Sequence, residues 1–258
     1  MLKMLPVLFV TFVPSMMLAQ IMTLFIKQGT TLDRRLTNNF SIPPASLLGF
    51  TTFSMLVSIV IYDRVFVKFM RKLTGNPRGI TLLQRMGIGM ILHILIMIIA
   101  SITERYRLKV AAEHGLTHQT AVPIPLSIFT LLPQYVLMGL ADAFIEIAKL
   151  EFFYDQAPES MKSLGTSYTS TSMAVGYFMS SILLSSVSQI TKKQGRGWIQ
   201  NNLNESRLDN YYMFFAVLNL LNFILFLVVI RFYEYRADVT QSANVEQKEP
   251  NMVDNYNE

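Results

Sequence analysis

The chain has 258 residues, no cysteine and a formal net charge of +5 at pH 7. Hydrophobic residues make up 52% of it and charged residues only 15%, whereas a soluble domain carries about 25% charged residues. This composition excludes an ordinary soluble domain and predicts an integral membrane protein. The lack of cysteine excludes disulfides and thiolate metal sites. The basic residues are scattered between apolar segments, which indicates contact with membrane surfaces and no nucleic-acid partner.

Six segments are apolar enough for transmembrane helices, which need about 20 mostly apolar residues. They cover residues 5–26, 42–62, 82–102, 123–154, 164–190 and 211–233. We therefore predict an all-α integral membrane fold, with one six-helix bundle over residues 1–235. The polar, acidic segment 236–258 is predicted to be a disordered cytoplasmic tail.

The loop between the second and third segments contains more basic residues than any other loop. Short basic loops stay on the cytoplasmic side, which predicts that location for this loop. Because six spans return the chain to its starting side, both termini are predicted to be cytoplasmic. Two Asn-x-Ser glycosylation sequons, at Asn39 and Asn204, fall on the opposite side and agree with this orientation.

The fourth segment carries charged residues at membrane depth. Asp142 lies near its middle, Glu146 follows at i+4, and Lys149 follows Glu146 at i+3, so all three share one helical face. One interpretation is a structural cluster, in which Glu146 pairs with Lys149 and Asp142 is protonated or bonds a neighbouring helix. The other is a site on a water-filled cavity, where a carboxylate meets a substrate cation or a proton.

Isolated polar residues in other segments are weaker candidates. Gln20 in the first segment bonds either a neighbouring helix or a ligand, and Thr51 and Thr52 offer hydroxyls in the second. His93 stands alone among Ile and Leu in the third segment and is interpreted as structural. No Gly-x-Ser-x-Gly motif, phosphate loop or His/Asp metal spacing is present, so we do not predict an enzyme.

Charged residues also cluster where segments meet the predicted cytoplasmic side. This set consists of Asp63, Arg64, Arg71, Lys72, Glu151 and Asp155. An acid at a helix end opposite basic residues predicts a latch that breaks and re-forms when helices move. The alternative is an ordinary membrane boundary, at which long charged side chains reach for water.

Four long motifs resemble the plant nitrate and peptide transporter family, within the proton-dependent oligopeptide transporters of the major facilitator superfamily. They are "QGTTLDRRL", "IPPASL", "YDRVFVKFMRKLTGNPRGITLLQRMGIGM" and "LEFFYDQAPESMKSLGTSY". Members of that family have twelve spans in two six-helix halves, and this chain resembles the C-terminal half only. The family's N-terminal "ExxER" motif does not occur here. A truncated gene product, an incomplete gene model and a genuine half-length form are all compatible with that.

The resemblance implies substrate binding near the bilayer midplane by alternating access, with the proton as coupling ion and no other cofactor. It places Asp142 where peptide-transporting relatives have a glutamate that faces the peptide amino group. It also places Gln20 and Phe25 on the cavity wall, and Thr52 near a polar pocket position. Leu18 occupies the position of a histidine found in nitrate-transporting members, which argues against nitrate binding by that imidazole.

The resemblance also matches the segment from Asp63 to Lys72 to the superfamily's repeated cytoplasmic gate motif. The leading hypothesis is a component of a proton-coupled oligopeptide/nitrate symporter that is incomplete without an N-terminal half. The alternative is a non-transporting fragment that binds or regulates full-length relatives. Peptides, nitrate, hormones and other metabolites stay open as substrates. The predicted surroundings are the lipid bilayer of the plasma or vacuolar membrane and an N-terminal half-transporter or full-length relative.

Overall fold

A computed structural model describes residues 4–37, 39–74, 79–119, 122–193 and 197–233. Within these ranges, six helical stretches have the length and apolar composition of transmembrane helices. We number them spans 1 to 6: Leu5–Thr30, Pro44–Leu73, Leu82–Glu113, Ile128–Gln156, Glu159–Lys193 and Leu208–Arg231. The prediction of an all-α fold with six membrane helices is confirmed. The predicted tail, 236–258, lies outside the described residues.

Several spans are not single uninterrupted α-helices. Span 1 consists of α1 (Leu5–Val10), α2 (Phe12–Met22) and α3 (Leu24–Thr30). Span 2 runs through a 3₁₀ turn (Pro44–Leu47), α4 (Leu48–Ile61), a π-helical turn (Tyr62–Phe66) and α5 (Val67–Thr74). The remaining helices are α6 (Leu82–Glu113), α7 (Leu132–Gln156), α8 (Lys162–Lys193) and α9 (Leu208–Arg231), with 3₁₀ turns at Ile128–Leu131 and Glu159–Met161.

The third span was predicted to end at Ile102, whereas α6 continues to Glu113. Hydropathy falls at Glu104 because charged residues begin there, but charged residues such as Glu, Arg and Lys are good helix formers. The start of α6 is fixed by a capping box between Thr81 and Gln84.

Span 3 packs most extensively against spans 4 and 6, span 2 packs against span 4, and span 1 packs against span 5. Glycines bring the backbones close at these crossings. A Cβ on Gly139 would overlap the carbonyl oxygen of Thr51 in span 2, and one on Gly176 would lie 2.5 Å from Ser15 Cβ in span 1. Small residues therefore set the helix separation, as is common in membrane bundles.

Two apolar core clusters define the two ends of the bundle. One contains Val7, Phe152 and Phe226 and lies at the end where spans 1 and 6 approach the chain termini, here called the termini end. The other contains Phe25 and Leu208 and extends to the opposite end, here called the distal end. The short strands belong to the distal end. They are β1 (Leu32–Asp33), parallel to β4 (Ile124–Ser127), and β2 (Arg35–Thr37), antiparallel to β3 (Phe40–Ser41).

Spans 2 and 5 are the least covered helices of the bundle. Only 17% of the apolar window of each is buried, against 67% for span 1. Phe53 and Leu56 project from span 2, and Phe178 and Ile182 from span 5. We call these four residues and their neighbours the exposed faces of spans 2 and 5.

Candidate functional site

Asp142 lies inside span 4, close to the other acid of its helical face. Its side chain is almost completely buried, and Oδ1 has no hydrogen-bond partner among the described residues. One turn further on, Lys149 Nζ donates to Glu146 Oε1 at 2.8 Å. Lys149 is completely buried, so the Glu146 carboxylate serves as its counter-ion. Asp142 therefore retains an unused acceptor oxygen beside a neutralised pair, an arrangement that suits a proton or a donor from outside the chain.

Hydroxyl groups connect this charge pair to two other spans. Lys149 Nζ donates to Ser15 Oγ in span 1 at 3.1 Å. Ser15 Oγ lies 2.8 Å from Ser172 Oγ in span 5, which lies 2.8 Å from Thr11 Oγ1. A displacement of Lys149 would therefore change contacts in spans 1, 4 and 5 together.

The same region contains the break between α1 and α2. Pro14 has no N–H, so the carbonyl oxygen of Val10 receives no helical hydrogen bond from it. Asn222 Nδ2 of span 6 donates to that oxygen at 2.9 Å. Ser172 Oγ of span 5 donates to the carbonyl oxygen of Thr11 at 3.1 Å. The Val10 carbonyl is thus satisfied by a side chain of a neighbouring span, as membrane interiors require, and the Thr11 carbonyl, which also accepts from Ser15 N, gains a second donor.

The remaining predicted contact residues lie in three different environments. Gln20 is buried and donates from Nε2 to Ser180 Oγ at 2.9 Å, while its Oε1 has no partner in the described part of the chain. Phe25 packs edge-on against Tyr135 and Tyr212 in the distal core. Thr52 is exposed and donates to the carbonyl of Leu48 in its own helix, at 3.3 Å. The structure therefore does not bring Phe25 or Thr52 together with Asp142 through any hydrogen bond or ring contact.

Tyr177 was not predicted as a site residue. It lies in span 5 within electrostatic range of Glu146 and Asp142. It also lines a cavity of about 490 Å³ between spans 1 and 5, together with Met22, Lys27 and Ser180. The sequence signal was weak, since a tyrosine in a serine-rich apolar helix is equally typical of packing, and span 5 has a second one at Tyr168.

His93 is buried in span 3, within electrostatic range of Lys149. Neither ring nitrogen has a hydrogen-bond partner among the described residues. No hydrogen bond of the ring supports a structural role for His93 among the described residues, and that role stays a prediction.

At the termini end, Arg85 of span 3 contacts spans 2 and 4, and we call this group of contacts the termini clasp. It is not the predicted latch. Arg85 of span 3 stacks on Tyr62 with its guanidinium carbon 4.2 Å from the ring centre. Its Nη2 donates to the carbonyl of Ala143 at 2.8 Å, and its Nη1 lies 4.0 Å from Glu151 Oε2. Arg85 thus joins spans 2, 3 and 4, and Glu151 of the predicted gate set takes part.

The other predicted gate residues lie in span 2 and near the end of span 4. Asp63 and Arg64 are exposed in the π-helical turn, and Lys72 is exposed in α5. Within the described residues, no ion pair joins Asp63 to Arg71 or Lys72. Asp155 is partly buried near the end of span 4. The predicted latch of Asp63 with Arg71 and Lys72 stays a prediction.

The distal end holds a buried polar network that sequence reasoning missed. Glu104 and Arg107 form an ion pair at 2.6 Å with neither side chain exposed. Gln28 Nε2 donates to Glu104 Oε2 at 2.7 Å, and Arg107 Nη1 donates to Asn204 Oδ1 at 2.7 Å. Arg107 also donates to the carbonyl of Leu203. This network, the distal clasp, ties spans 1 and 3 to the loop before span 6.

Comparison with known proteins gives a consistent result. The model of the POT family (PTR2) matches residues 1–202. Protein NRT1/PTR FAMILY 5.2 of Arabidopsis thaliana is 78% identical over 249 residues, which are 96% of this chain and 43% of the relative. Protein NRT1/PTR FAMILY 5.1 of the same plant is 52% identical over 230 residues, which are 89% of this chain and 39% of the relative. The chain thus spans about 40% of the length of the relatives it matches.

Solved structures agree at the level of the fold. An auto-inhibited POT family peptide transporter has a TM-score of 0.67 at 20% identity and covers 90% of this chain and 42% of its own. The POT family transporter PepTSo has a TM-score of 0.63 at 20% identity and covers 88% and 41%. Since the family model matches more than half of the chain and the relatives agree with it, the chain belongs to the POT family of membrane transporters, as its motifs predicted.

Proposed function

We propose that the chain is the substrate-binding, C-terminal half of a proton-coupled solute transporter, with Asp142 as the site of the proton or of a substrate cation. The observation that carries this proposal is the free carboxylate oxygen of a buried acid in the middle of a span. Membership of a transporter family supports it, as does the resemblance of the fold to two POT transporters, one of them named a peptide transporter.

The contacts around Asp142 suggest how it acts. When Asp142 is ionised, a second negative charge stands one turn from Glu146 and competes for Lys149. When Asp142 holds a proton or meets a cationic substrate group, Lys149 stays with Glu146 and with Ser15. Because Ser15 is hydrogen-bonded to Ser172, the occupancy of Asp142 is communicated to the packing of spans 1 and 5.

The substrate class is proposed from the charges in and near the cavity between spans 1 and 5. Tyr177 lines this cavity within electrostatic range of two acids, and Lys27 lines it as well. A small solute or peptide with a cationic group for the two acids and an anionic group for Lys27 suits this arrangement. Position 18 is a leucine and not a histidine, so the proposal does not include recognition of nitrate by an imidazole at that position.

The partner is proposed to be an N-terminal half that covers the exposed faces of spans 2 and 5. The exposed side of span 5 includes the hydroxyls of Ser181 and Ser185, which suit protein or water better than lipid. By contrast, the exposed residues of span 6 include Val217, Leu221 and Ile224, which suit lipid. These exposed faces also fit the alternative, a non-transporting fragment that binds full-length relatives.

Uptake driven by a pH gradient tests the proposed function. The chain is reconstituted alone and together with a separately expressed N-terminal half of a full-length relative, and labelled dipeptide uptake is measured. We expect uptake only with the partner. Asp142→Asn is expected to abolish it, because the amide cannot exchange a proton or balance a cation, and Asp142→Glu is expected to retain it.

Glu113→Gln is the control, since Glu113 is exposed at the end of span 3. Uptake by the chain alone would disprove the need for a partner. Full uptake by Asp142→Asn would remove Asp142 from the mechanism. Stable assembly with the partner but no uptake of any tested solute would favour the regulatory alternative.

A further inference from the structure

A groove of about 990 Å³ lies at the distal end, between the last turns of span 3 and the start of span 6. Its charged lining includes Arg105 and Lys109 of span 3 and Arg207 and Asp209 at the start of span 6. Glu205 also lines it, but its Oε1 accepts a hydrogen bond from Asn202 Nδ2 at 2.9 Å and lies 3.1 Å from His118 Nδ1. This groove is separate from Asp142 and from the cavity of Tyr177.

Two arginines of the groove share one buried carboxylate. Arg105 Nε lies 3.3 Å from Asp209 Oδ2, and Arg207 Nε lies 3.6 Å from Asp209 Oδ1. The Asp209 side chain is only 5% exposed, so it is a fixed anchor. Within the described part of the chain, the terminal amino groups of both arginines donate no hydrogen bond. Arg105 is therefore held by a hydrogen bond and Arg207 by a longer ion pair, both with their terminal donors free. Three cations, Arg105, Lys109 and Arg207, against the carboxylates of Asp209 and Glu205 leave one net positive charge in the lining.

A pair of anchored guanidinium groups is suited to oxyanions with several oxygens. Arginine matches the geometry of a phosphate with two parallel N–H donors, and anchoring reduces the entropy lost on binding. Lys109 adds a third cation one turn above Arg105. Its ion pair with Glu113, at 3.8 Å, is exposed and weak, so its ammonium can reorient toward a ligand.

The position of the groove relative to the membrane indicates the source of the phosphate. Helix α6 has 32 residues, about 48 Å at 1.5 Å per residue, whereas a bilayer core is about 30 Å thick. Its last turns, with Arg105 and Lys109, therefore reach headgroup depth. On the same helical face, at steps of four and seven residues, the exposed Ile91, Leu95 and Ile102 form an apolar strip, and Arg105 follows three residues later.

We propose that this groove binds the phosphate of a phospholipid headgroup. Arg105 and Arg207 donate to the phosphate oxygens, and an acyl chain lies along the apolar strip of span 3. A soluble phosphate ester could make the same contacts with the arginines, but it has no acyl chain to cover the apolar strip of span 3.

Lipid titration of the purified full chain in detergent micelles tests this proposal. Trp198 is the single tryptophan of the sequence, and its carbonyl accepts from Arg207 N, so its fluorescence reports on the groove. Three probes separate the sources: dioleoyl phosphatidylglycerol, dioleoylglycerol with the same tails but no phosphate, and glycerol 3-phosphate without tails. We expect saturable changes in Trp198 fluorescence and in Tm with phosphatidylglycerol and none with dioleoylglycerol.

The variant Arg105→Gln/Arg207→Gln should weaken the phosphatidylglycerol response by roughly tenfold or more, because two charge-assisted contacts are lost. Lys192→Gln/Lys193→Gln removes the same charge from the end of span 5 and should leave the response unchanged. If the double arginine variant unfolds, Lys109→Gln, which leaves Asp209 and its partners intact, should give a smaller loss.

Equal responses to phosphatidylglycerol and dioleoylglycerol would overturn the proposal. So would an unchanged response in both groove variants. A saturable response to glycerol 3-phosphate at the affinity of the lipid, lost in the arginine variant, would support the phosphate site and assign it to a soluble ester.

Discussion

Glu104 and Arg107 are charged residues that no solvent reaches. Removing two charges from water is costly, and the pair is stable only because hydrogen bonds from Gln28 and to Asn204 and Leu203 satisfy the remaining groups. The Asn204 side chain is also fully hydrogen-bonded within the fold, since its Nδ2 donates to the carbonyls of Leu116 and Gln119. The sequon at Asn204 is therefore buried in the fold, whereas Asn39 is exposed.

Substitution of Glu104 is predicted to be strongly destabilising. Glu104→Gln keeps the shape but leaves the Arg107 charge buried without a counter-ion, which should lower the free energy of unfolding by about 3–5 kcal/mol. Glu113→Gln breaks an exposed pair on the same helix and should cost less than about 1 kcal/mol. Thermal unfolding in detergent measures both, and equal Tm shifts would show that the distal clasp does not stabilise the bundle.

At the residue scale, the sequence predicted pairs within one helix but not partners across helices. The spacing of Glu146 and Lys149 predicted their ion pair, and the structure shows it. Ser15 lies 134 positions away from Lys149, and no local pattern links them. Arg85 was not predicted as a gate residue, because its role depends on Tyr62 and Glu151, which come from two other spans.

Among the elements, span 1 depends on spans 5 and 6 to satisfy its interrupted backbone. Asn222→Leu should cost about 1–3 kcal/mol, because it leaves the Val10 carbonyl buried without a donor. Adding Pro14→Ala returns an N–H to the helix and should recover part of that loss. Denaturation of the two single variants and the double variant measures this coupling. Strictly additive effects would mean that Asn222 does not compensate for Pro14.

The contact of spans 2 and 4 is predicted to tolerate no side chain at Gly139. Gly139→Ala places a methyl group against the backbone of Thr51 and Met55, and overpacking of this kind costs about 1–3 kcal/mol. Gly49 lies in span 2, and a Cβ there would meet nothing within 4 Å, so Gly49→Ala should be neutral or slightly stabilising. Thermal stability in detergent distinguishes them, and a neutral Gly139→Ala would show that the two spans can separate freely.

Hydropathy predicted the number of spans but not their internal irregularities. An average over many apolar residues does not register whether each carbonyl has a helical partner. The breaks at Thr11 and Thr23 and the 3₁₀ turns therefore appear only in the structure. The short strands at the distal end were missed for a related reason, since two-residue strands have no detectable alternation.

For the whole molecule, the motifs were more informative than any helix pattern. They identified the family, which the family model confirms, whereas six apolar helices alone do not determine which helices pack together. The pairing of span 1 with span 5 and of span 2 with span 4 depends on glycines and hydroxyls that meet only in the folded bundle.

Cysteine labelling can locate the surface that a partner half covers. The sequence has no cysteine, so a single substitution gives an unambiguous signal. Phe178→Cys on span 5 should react with a membrane-permeant maleimide in the chain alone and be protected after assembly with an N-terminal half. Leu221→Cys on span 6 should react in both states. Equal protection at the two positions would contradict the proposed partner surface.

The π-helical turn at Tyr62–Phe66 has a consequence for any variant made near the end of span 2. The N–H of Val67 bonds the carbonyl of Tyr62, five residues back, so this turn holds one residue more than an α-helical turn. Deletion of one residue here would restore α-helical geometry and leave α5 facing as it does now, whereas an α-helical wheel that counts the extra residue is out of phase by about 100°. Helical wheels drawn for α4 therefore do not carry over to α5, and the orientation of Arg71 and Lys72 is set by one extra residue in the turn before them.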